Sequence, residues 1–263
     1  MKLSGRTVLL TGATGGIGHA IARTMTAQGA RLVLTGRRIE VLEAIAAELG
    51  AERVAADLCD PAAVRALIDT HGDADVLVAN AALPASGRLW TFSEDEIDRA
   101  LDVNLRAPIV LAHALVERMR ARGSGHVVFI NSLSGKAATQ GQPMYNATKF
   151  GLRGFAGGLR ADLHGTGVGV SAVFPGFVSD AGMFADAEVQ LPRGVGTRTP
   201  EQVARAVVRA IEHDKGEVDV APLSLRLGAT LASLAPDLAT RINRRMGGDD
   251  VAAGMEAGQA SKR

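Results

Sequence analysis

The chain has 263 residues, of which 47% are hydrophobic and 22% are charged, so it can bury a sizeable core and is not a disordered chain. Its 29 basic and 28 acidic residues nearly balance, which argues against the concentrated basic face that nucleic-acid binding needs. The single cysteine excludes an internal disulfide, and the six histidines lack the spacing of zinc ligands, so no metal site is predicted.

Short apolar runs alternate with amphipathic segments along the chain. The runs are almost continuously apolar, as in strands that are buried on both faces of a parallel sheet. Because parallel neighbours need helical crossovers, this alternation predicts a single doubly wound, Rossmann-type α/β domain of about seven strands over residues 1–246. Predicted strands centre on 8–10, 32–34, 53–55, 76–78, 127–130, 170–174 and 218–220, and predicted helices span 18–28, 39–49, 62–70, 94–120, 143–163 and 200–213.

Neither end of the chain indicates a membrane protein. The first apolar run is too short for a signal peptide, and the most apolar later stretch, 221–236, is too short to span a bilayer. We therefore expect a cytoplasmic protein. Residues 247–263 are small and polar and are predicted to form a flexible tail. The leucine-rich stretch 223–238 could extend a pocket, contact a partner subunit or complete the core, and core packing is the default.

A glycine-rich loop follows the first predicted strand and opens the first helix. Gly12, Gly16 and Gly18 would let the backbone turn sharply and approach a pyrophosphate at the helix N-terminus. A plain strand-to-helix turn is the alternative, but the position after the first strand of a βαβ unit favours dinucleotide binding.

The second predicted strand ends at Gly36, Arg37 and Arg38, where NAD sites usually carry an acidic residue. The planar guanidinium of Arg37 suits a 2′-phosphate, and Arg38 is a second candidate, so NADP(H) is favoured over NAD(H). These arginines could instead only solvate a strand end. Asp57 could accept a hydrogen bond from an adenine amino group or cap the helix that follows Pro61.

Tyr145 and Lys149 lie four residues apart in a predicted helix, so both side chains project from one face. A cation about 5 Å from a phenol at an effective dielectric constant of about 20 favours phenolate by ~3 kcal/mol, which predicts a lowered pKa for Tyr145. This would suit Tyr145, the only tyrosine, for general acid–base work at a carbonyl or alcohol oxygen. Ser132 ends a predicted strand and could return to the same cleft.

In order and spacing, these motifs resemble the single-domain branch of the short-chain dehydrogenase/reductase family, and the likeness covers nearly the whole chain. In that family Tyr145 would protonate the carbonyl oxygen, Ser132 would hydrogen-bond it, Lys149 would hold the nicotinamide ribose, and Asn104 would position a water. The resemblance implies a catalytic set of Asn104, Ser132, Tyr145 and Lys149, and a cofactor-binding set of Gly12, Thr14, Gly16, Ile17, Gly18, Arg37, Arg38, Asp57, Leu58, Asn80, Tyr145, Lys149, Pro175, Gly176 and Val178. Considered one at a time, these residues also have purely structural alternatives. Asn104 could kink or cap its helix, Ser132 could be a hydroxyl at the end of a strand, and Asn80 could tie adjacent strands together.

The segment 178–198 resembles the substrate lid of the family and contains Met183, Phe184, Val189 and Leu191. A mostly apolar pocket would suit a small-molecule lipophilic ketone, aldehyde or alcohol. The family resemblance also implies a homodimer or homotetramer formed through the helices 94–120 and 143–163. Two other functions are alternatives. One is a non-catalytic NADP-binding sensor or scaffold. The other is a sugar-nucleotide epimerase or dehydratase of the longer branch of the family, because the adjacent Gly15 and Gly16 also fit the glycine spacing of that branch. The predicted substrate-binding residues are Ser132, Leu133, Gln142, Tyr145, Met183 and Phe184.

Overall fold

A seven-stranded sheet forms the centre of the computed structural model, which describes residues 1–180, 182–184, 195–245 and 248–259. The strand order is β3-β2-β1-β4-β5-β6-β7, and every neighbouring pair is parallel. The strands are β1 (Thr7–Leu10), β2 (Arg31–Gly36), β3 (Glu52–Ala55), β4 (Val76–Ala79), β5 (Gly125–Ile130), β6 (Val168–Pro175) and β7 (Glu217–Val220).

Helices cover both faces of the sheet, so the central strands are buried on both sides. One apolar core lies between the sheet and α1, α2 and α7, and a second lies between the sheet and α3, α5 and α6. The helices are α1 (Gly16–Ala27), α2 (Ile39–Leu49), α3 (Pro61–His71), α4 (Glu94–Leu101), α5 (Ala107–Ala121), α6 (Pro143–Asp162), α7 (Pro200–Glu212), α8 (Leu223–Leu234), α9 (Pro236–Arg245) and α10 (Gly248–Gln259).

Side-chain caps define where several of these helices begin. Ser93 and Glu96 form a reciprocal capping box at the start of α4, and Thr199 and Gln202 form one at the start of α7. The carboxylate of Asp60 accepts a hydrogen bond from the backbone N–H of Ala62 at 2.8 Å and caps α3. Asp57 is therefore not the cap of α3, so that alternative for Asp57 is wrong.

The fold confirms the predicted doubly wound sheet and its seven strands. The predicted helix 94–120 is interrupted by a π-helical turn, Asp102–Arg106, that joins α4 to α5. The sequence did not predict α8, α9 or α10, and residues 248–259 of the predicted flexible tail form α10. Its residues Ala252, Met255 and Gln259 are buried, which explains why this stretch is helical. Among the described residues, no helix is long and apolar enough to cross a membrane.

His126, at the start of β5, gives the fold a defined sensitivity to acid. Its ring Nε2 lies 2.8 Å from the Ser171 hydroxyl, and burial lowers the pKa of His126 to about 4 from 6.5, although Asp214 acts in the opposite direction. Between these two pH values the unfolded chain binds a proton that the folded chain does not. The free energy of unfolding should therefore decrease as the pH falls through this window, by at most about 3 kcal/mol from this residue.

Replacing His126 with glutamine should reduce this loss, because a glutamine can still meet the Ser171 hydroxyl but does not titrate. Urea unfolding of the wild type and the His126→Gln variant at about pH 7 and about pH 4.5 measures the difference. Comparing the two proteins cancels the contributions of carboxylates that titrate in the same range. An equal pH dependence in both proteins would show that His126 does not cause it.

Candidate active site

A cleft of about 1220 Å³ opens at the carboxyl ends of the strands. It lies where the strand order reverses, between β1 and β4, which is the usual ligand position in doubly wound sheets. Every predicted cofactor-binding and substrate-binding residue lines this cleft, and of the predicted catalytic residues only Asn104 does not.

The glycine loop between β1 and α1 is closely packed from behind. Gly12 has a φ of +66°, and a Cβ there would lie 2.7 Å from the Cα of Ala81. A Cβ on Gly18 would lie only 2.3 Å from the carbonyl oxygen of Gly12. Both positions therefore require glycine, and the loop directs the N-terminus of α1 towards the cleft, where it can hold a phosphate.

Asn80 supports this loop from the end of β4. Its side-chain amide donates hydrogen bonds of 3.0 Å to the carbonyl oxygens of Thr11 and Gly12. The Thr11 hydroxyl in turn accepts from the backbone N–H groups of Asn80 and Ala81, both at 3.0 Å. Asn80 thus ties the end of β4 to the glycine loop after β1. This agrees with the alternative role of Asn80, which was to tie adjacent strands together.

Two arginines lie at the rim of the cleft beyond β2. Arg37 and Arg38 are both exposed, and the Arg38 guanidinium donates a hydrogen bond to the Thr14 carbonyl oxygen. A Cβ on Gly36 would lie 2.7 Å from the Thr14 side chain, so the end of β2 fits closely against the glycine loop. Asp57 accepts from the backbone N–H of Cys59 at 3.0 Å, which fixes a local turn at the end of β3. These contacts define the rim of the cleft at the ends of β2 and β3.

Ser132, Tyr145 and Lys149 come together where β5 ends and α6 begins. Lys149 is 2% exposed, its Nζ donates to the carbonyl oxygen of Ile130 at 3.0 Å, and it lies 5.6 Å from the centre of the Tyr145 ring. Burial lowers the pKa of Lys149 to about 8 from 10.5. The three residues therefore combine a hydroxyl, a phenol and an ammonium group at one end of the cleft.

The prediction that Lys149 lowers the pKa of Tyr145 towards neutrality is wrong for this structure. The Tyr145 ring is partly exposed to the cleft, but burial raises the pKa of its hydroxyl, and a hydrogen bond with Ser132 only partly offsets this effect. The buried ammonium of Lys149 is directed to Ile130 and bears its own desolvation cost. Tyr145 is thus a phenol at neutral pH in this structure.

Asn131 holds this group together, although the sequence analysis did not identify it. It is 3% exposed, its side-chain carbonyl accepts from the N–H of Ser132 at 2.8 Å, and its amide donates to the carbonyl oxygen of Lys149 at 3.1 Å. One side chain therefore joins the end of β5 to α6. Its place directly before Ser132 is the only signal of this role in the sequence.

Asn104 lies behind the cleft in the π-helical turn between α4 and α5. Its side-chain carbonyl accepts from the N–H of Leu83 at 2.6 Å, and its amide donates to the carbonyl oxygen of Leu83 at 3.0 Å. The side chain thus makes two hydrogen bonds to the backbone that follows β4. These contacts support a structural role for Asn104 in the irregular helix, and its role in positioning a water stays a prediction.

The other end of the cleft is largely apolar. The Phe184 ring packs on Phe177 with 4.9 Å between the ring centres, and Leu133 and Met183 also line this end. Of the predicted lid, residues 181 and 185–194, including Val189 and Leu191, lie outside the described residues. Leu225, Ala229 and Leu231 of α8 line the cleft, which agrees with the alternative that the stretch 223–238 extends a pocket. Ala252, Met255 and Gln259 of α10 also line it and were not predicted.

Comparisons with known proteins agree with this geometry. The family model described as short chain dehydrogenase matches residues 6–191, and the chain therefore belongs to the short-chain dehydrogenase/reductase family of oxidoreductases. A relative named ketoacyl reductase HetN, from Nostoc sp., is 36% identical over 259 residues, which cover 93% of this chain and 90% of the relative.

Two solved structures share the fold. A short-chain dehydrogenase from Sphingobium yanoikuyae in complex with NADPH superposes with a TM-score of 0.77 at 27% identity, covering 89% of this chain and 95% of that one. A short chain dehydrogenase/reductase from Burkholderia phymatum in complex with NAD gives a TM-score of 0.80 at 24% identity, covering 90% and 96%, a likeness in fold alone. Proteins of this fold thus bind either nicotinamide dinucleotide.

Proposed function

We propose that this chain is an NADP(H)-dependent oxidoreductase that interconverts a ketone or aldehyde and an alcohol, with Tyr145 as the general acid and base. The convergence of Ser132, Tyr145 and Lys149 in the cleft that the glycine loop enters carries this proposal. A reduced nicotinamide supplies the hydride for the carbonyl carbon. The protein must then supply the proton and hold the oxygen.

The roles of the three side chains follow from their contacts. Tyr145 lines the cleft and carries its proton at neutral pH, so its hydroxyl can protonate the carbonyl oxygen as the hydride arrives at carbon. Ser132 can donate a hydrogen bond to the same oxygen and orient the carbonyl. The Lys149 ammonium, fixed by the carbonyl oxygen of Ile130, would hold the nicotinamide ribose. In the direction of alcohol oxidation, the phenolate takes the proton back.

The rim arginines support NADP(H) over NAD(H). Arg37 is exposed at the cleft. It stands at the end of β2, where NAD sites usually carry an acidic residue that would repel a 2′-phosphate. The Sphingobium yanoikuyae relative in complex with NADPH fits this choice. Arg38 already contacts the glycine loop, so Arg37 is the better candidate for the phosphate.

Replacing Arg37 with glutamate should raise the KM for NADPH by about ten- to a hundredfold, because a charge-assisted hydrogen bond contributes about 1.5–3 kcal/mol. The KM for NADH should change little, since it has no 2′-phosphate. Steady-state kinetics with both cofactors measure this. Arg65→Glu, an exposed change on α3 outside the cleft, is the matched control. A preference for NADH in the wild-type protein would contradict this assignment.

The apolar end of the cleft supports a lipophilic substrate. Leu133, Met183, Phe184 and Leu225 offer apolar surface on which a lipophilic chain can pack. A ketoacyl chain, the substrate that the name of the Nostoc relative implies, has both the ketone and the apolar length. Oxidation of NADPH in the presence of ketoacyl thioesters and aliphatic ketones tests the function. Tight NADPH binding without turnover of any of them would instead indicate a non-catalytic sensor.

We also propose that the chain forms a homodimer or homotetramer through α4, α5 and α6. Leu101 and Phe150 are exposed on α4 and α6. A Cβ at Gly154, Gly157 or Gly158 would meet no atom within 4 Å, so α6 presents a flat surface to a second helix. The cytoplasmic location stays a prediction.

A further inference from the structure

Three leucines of α8 form an exposed apolar face. Leu223, Leu227 and Leu234 are 65%, 61% and 81% exposed. At 3.6 residues per turn they fall within an arc of about 40° on the helix, so they point in nearly the same direction. The default interpretation of this stretch as part of the core is therefore wrong for these three residues. We call them the leucine face.

A different side of α8 contacts the rest of the protein. Leu225, Gly228 and Ala232 line the cleft, and the Ser233 hydroxyl donates to the carbonyl oxygen of Lys136 at 2.8 Å. The helix is thus held in place with its leucine face outward. Leu231 lies between the two sides, since it lines the cleft and is also 38% exposed. The leucine face is therefore continuous with the apolar interior of the cleft.

Basic residues accompany the leucine face. Residues 221–245 contain four arginines, Arg226, Arg241, Arg244 and Arg245, against one acidic residue, Asp237. Arg226 is half exposed and lies 3.8 Å from Asp219, so part of its charge is offset, whereas Arg241 is exposed on α9. The first turn of α9 adds Leu238, which is 51% exposed. In a chain with a net charge of +1, this basic excess is local.

Exposed leucines beside arginines suit a lipid surface better than a second copy of the chain. A twofold interface would bring the same basic segment of each copy together, and like charges across an interface oppose association. An anionic bilayer offers apolar depth for the leucines and negative headgroups for the arginines.

We propose that the leucine face of α8 docks on the headgroup–acyl boundary of an anionic lipid bilayer, with the exposed Arg226 and Arg241 against the headgroups. Docking in this orientation would place Leu231 and the mouth of the cleft beside the bilayer, from which a lipophilic molecule could enter. The docking itself does not depend on the proposed reaction, so failure of one leaves the other intact.

Flotation of the full chain with phosphatidylcholine vesicles, with and without phosphatidylglycerol, tests this proposal. The wild type should float with the anionic vesicles, and added salt should weaken its binding. The Leu223→Gln, Leu227→Gln, Leu234→Gln triple variant should lose at least tenfold in partitioning. Glutamine preserves helix propensity, and an unchanged melting temperature would show that the variant is folded.

Single substitutions provide a matched comparison that does not depend on the triple variant folding. Leu227→Gln should reduce partitioning, whereas Ile39→Gln, at a residue of α2 that is 57% exposed, should not. Absence of wild-type binding to anionic vesicles, or equal binding by the triple variant, would overturn the proposal. Gel filtration distinguishes the remaining occupant. If neither protein binds vesicles and the wild type forms an oligomer that the triple variant does not form, the leucine face contacts a second copy of the chain and the proposal is overturned.

Discussion

The Tyr145→Phe variant is expected to lose turnover by a factor of about 10² to 10⁴, the usual contribution of a positioned general acid or base. Phenylalanine keeps the ring and its packing at the start of α6 and removes only the hydroxyl. The chain has one tyrosine, so no second phenol can replace it. Steady-state turnover of a ketone substrate with saturating NADPH measures the loss.

Cofactor affinity provides the control for this variant. The glycine loop and the rim arginines do not depend on the Tyr145 hydroxyl, so the Kd for NADPH should stay within a few-fold of the wild-type value. An equal loss of NADPH binding would show a structural rather than a chemical role. Undiminished turnover would remove Tyr145 from the mechanism. Because Tyr145 is the only tyrosine, the phenolate absorbance of the wild type reports on this residue alone and should appear above the ordinary tyrosine pKa.

The sequence predicted the sheet well because burial on both faces leaves a simple pattern. Runs such as Val76–Val78 and Val127–Ile130 are apolar at every position. A strand that is buried on both faces has this pattern, whereas a strand that is buried on one face alternates apolar and polar residues. The same reasoning found the cleft, since the carboxyl ends of parallel strands meet at one edge. Residues that follow strands, such as Asn80 and Ser132, were therefore predictable as neighbours.

Properties that depend on how deeply a side chain is buried were not predictable from the sequence in the same way. The sequence places Lys149 four residues after Tyr145 but does not say how deeply either group is buried. Burial reverses the expected direction of the Tyr145 pKa and also lowers that of Lys149. Asn131 likewise has no sequence pattern of its own, because its partners are one adjacent N–H and a distant main-chain carbonyl.

The C-terminal helices were missed for a different reason. Helix α8 exposes leucines on one side and lines an open cleft on another, so its apolar residues do not form the single stripe of a core-facing helix. In α10, the buried residues Ala252, Met255 and Gln259 have helical spacing, but two of the three are small or polar. Ala252, Met255 and Gln259 nonetheless line the cleft, so the segments that were hardest to predict contribute to it.

The glycine loop offers a second large effect with a close internal control. An alanine at position 18 would place its Cβ 2.3 Å from the carbonyl oxygen of Gly12 and 2.9 Å from the Cα of Ala13, so the backbone itself must move. Gly15 has extended backbone angles, and a Cβ there would lie 3.6 Å from the Gly12 oxygen, an ordinary contact. The same methyl group is therefore forbidden at one glycine and accepted three residues earlier.

Gly18→Ala is accordingly expected to cost about 1–3 kcal/mol of stability from overpacking and to weaken NADPH binding at least tenfold, since the displaced loop no longer directs the amides of α1 at the phosphates. Gly15→Ala should keep stability near the wild-type value, because its Cβ would make only an ordinary contact within the protein. Urea unfolding and titration with NADPH measure the two effects separately. If Gly18→Ala lost stability but bound NADPH normally, the loop would be only a structural turn, and the pyrophosphate would have to bind elsewhere in the cleft.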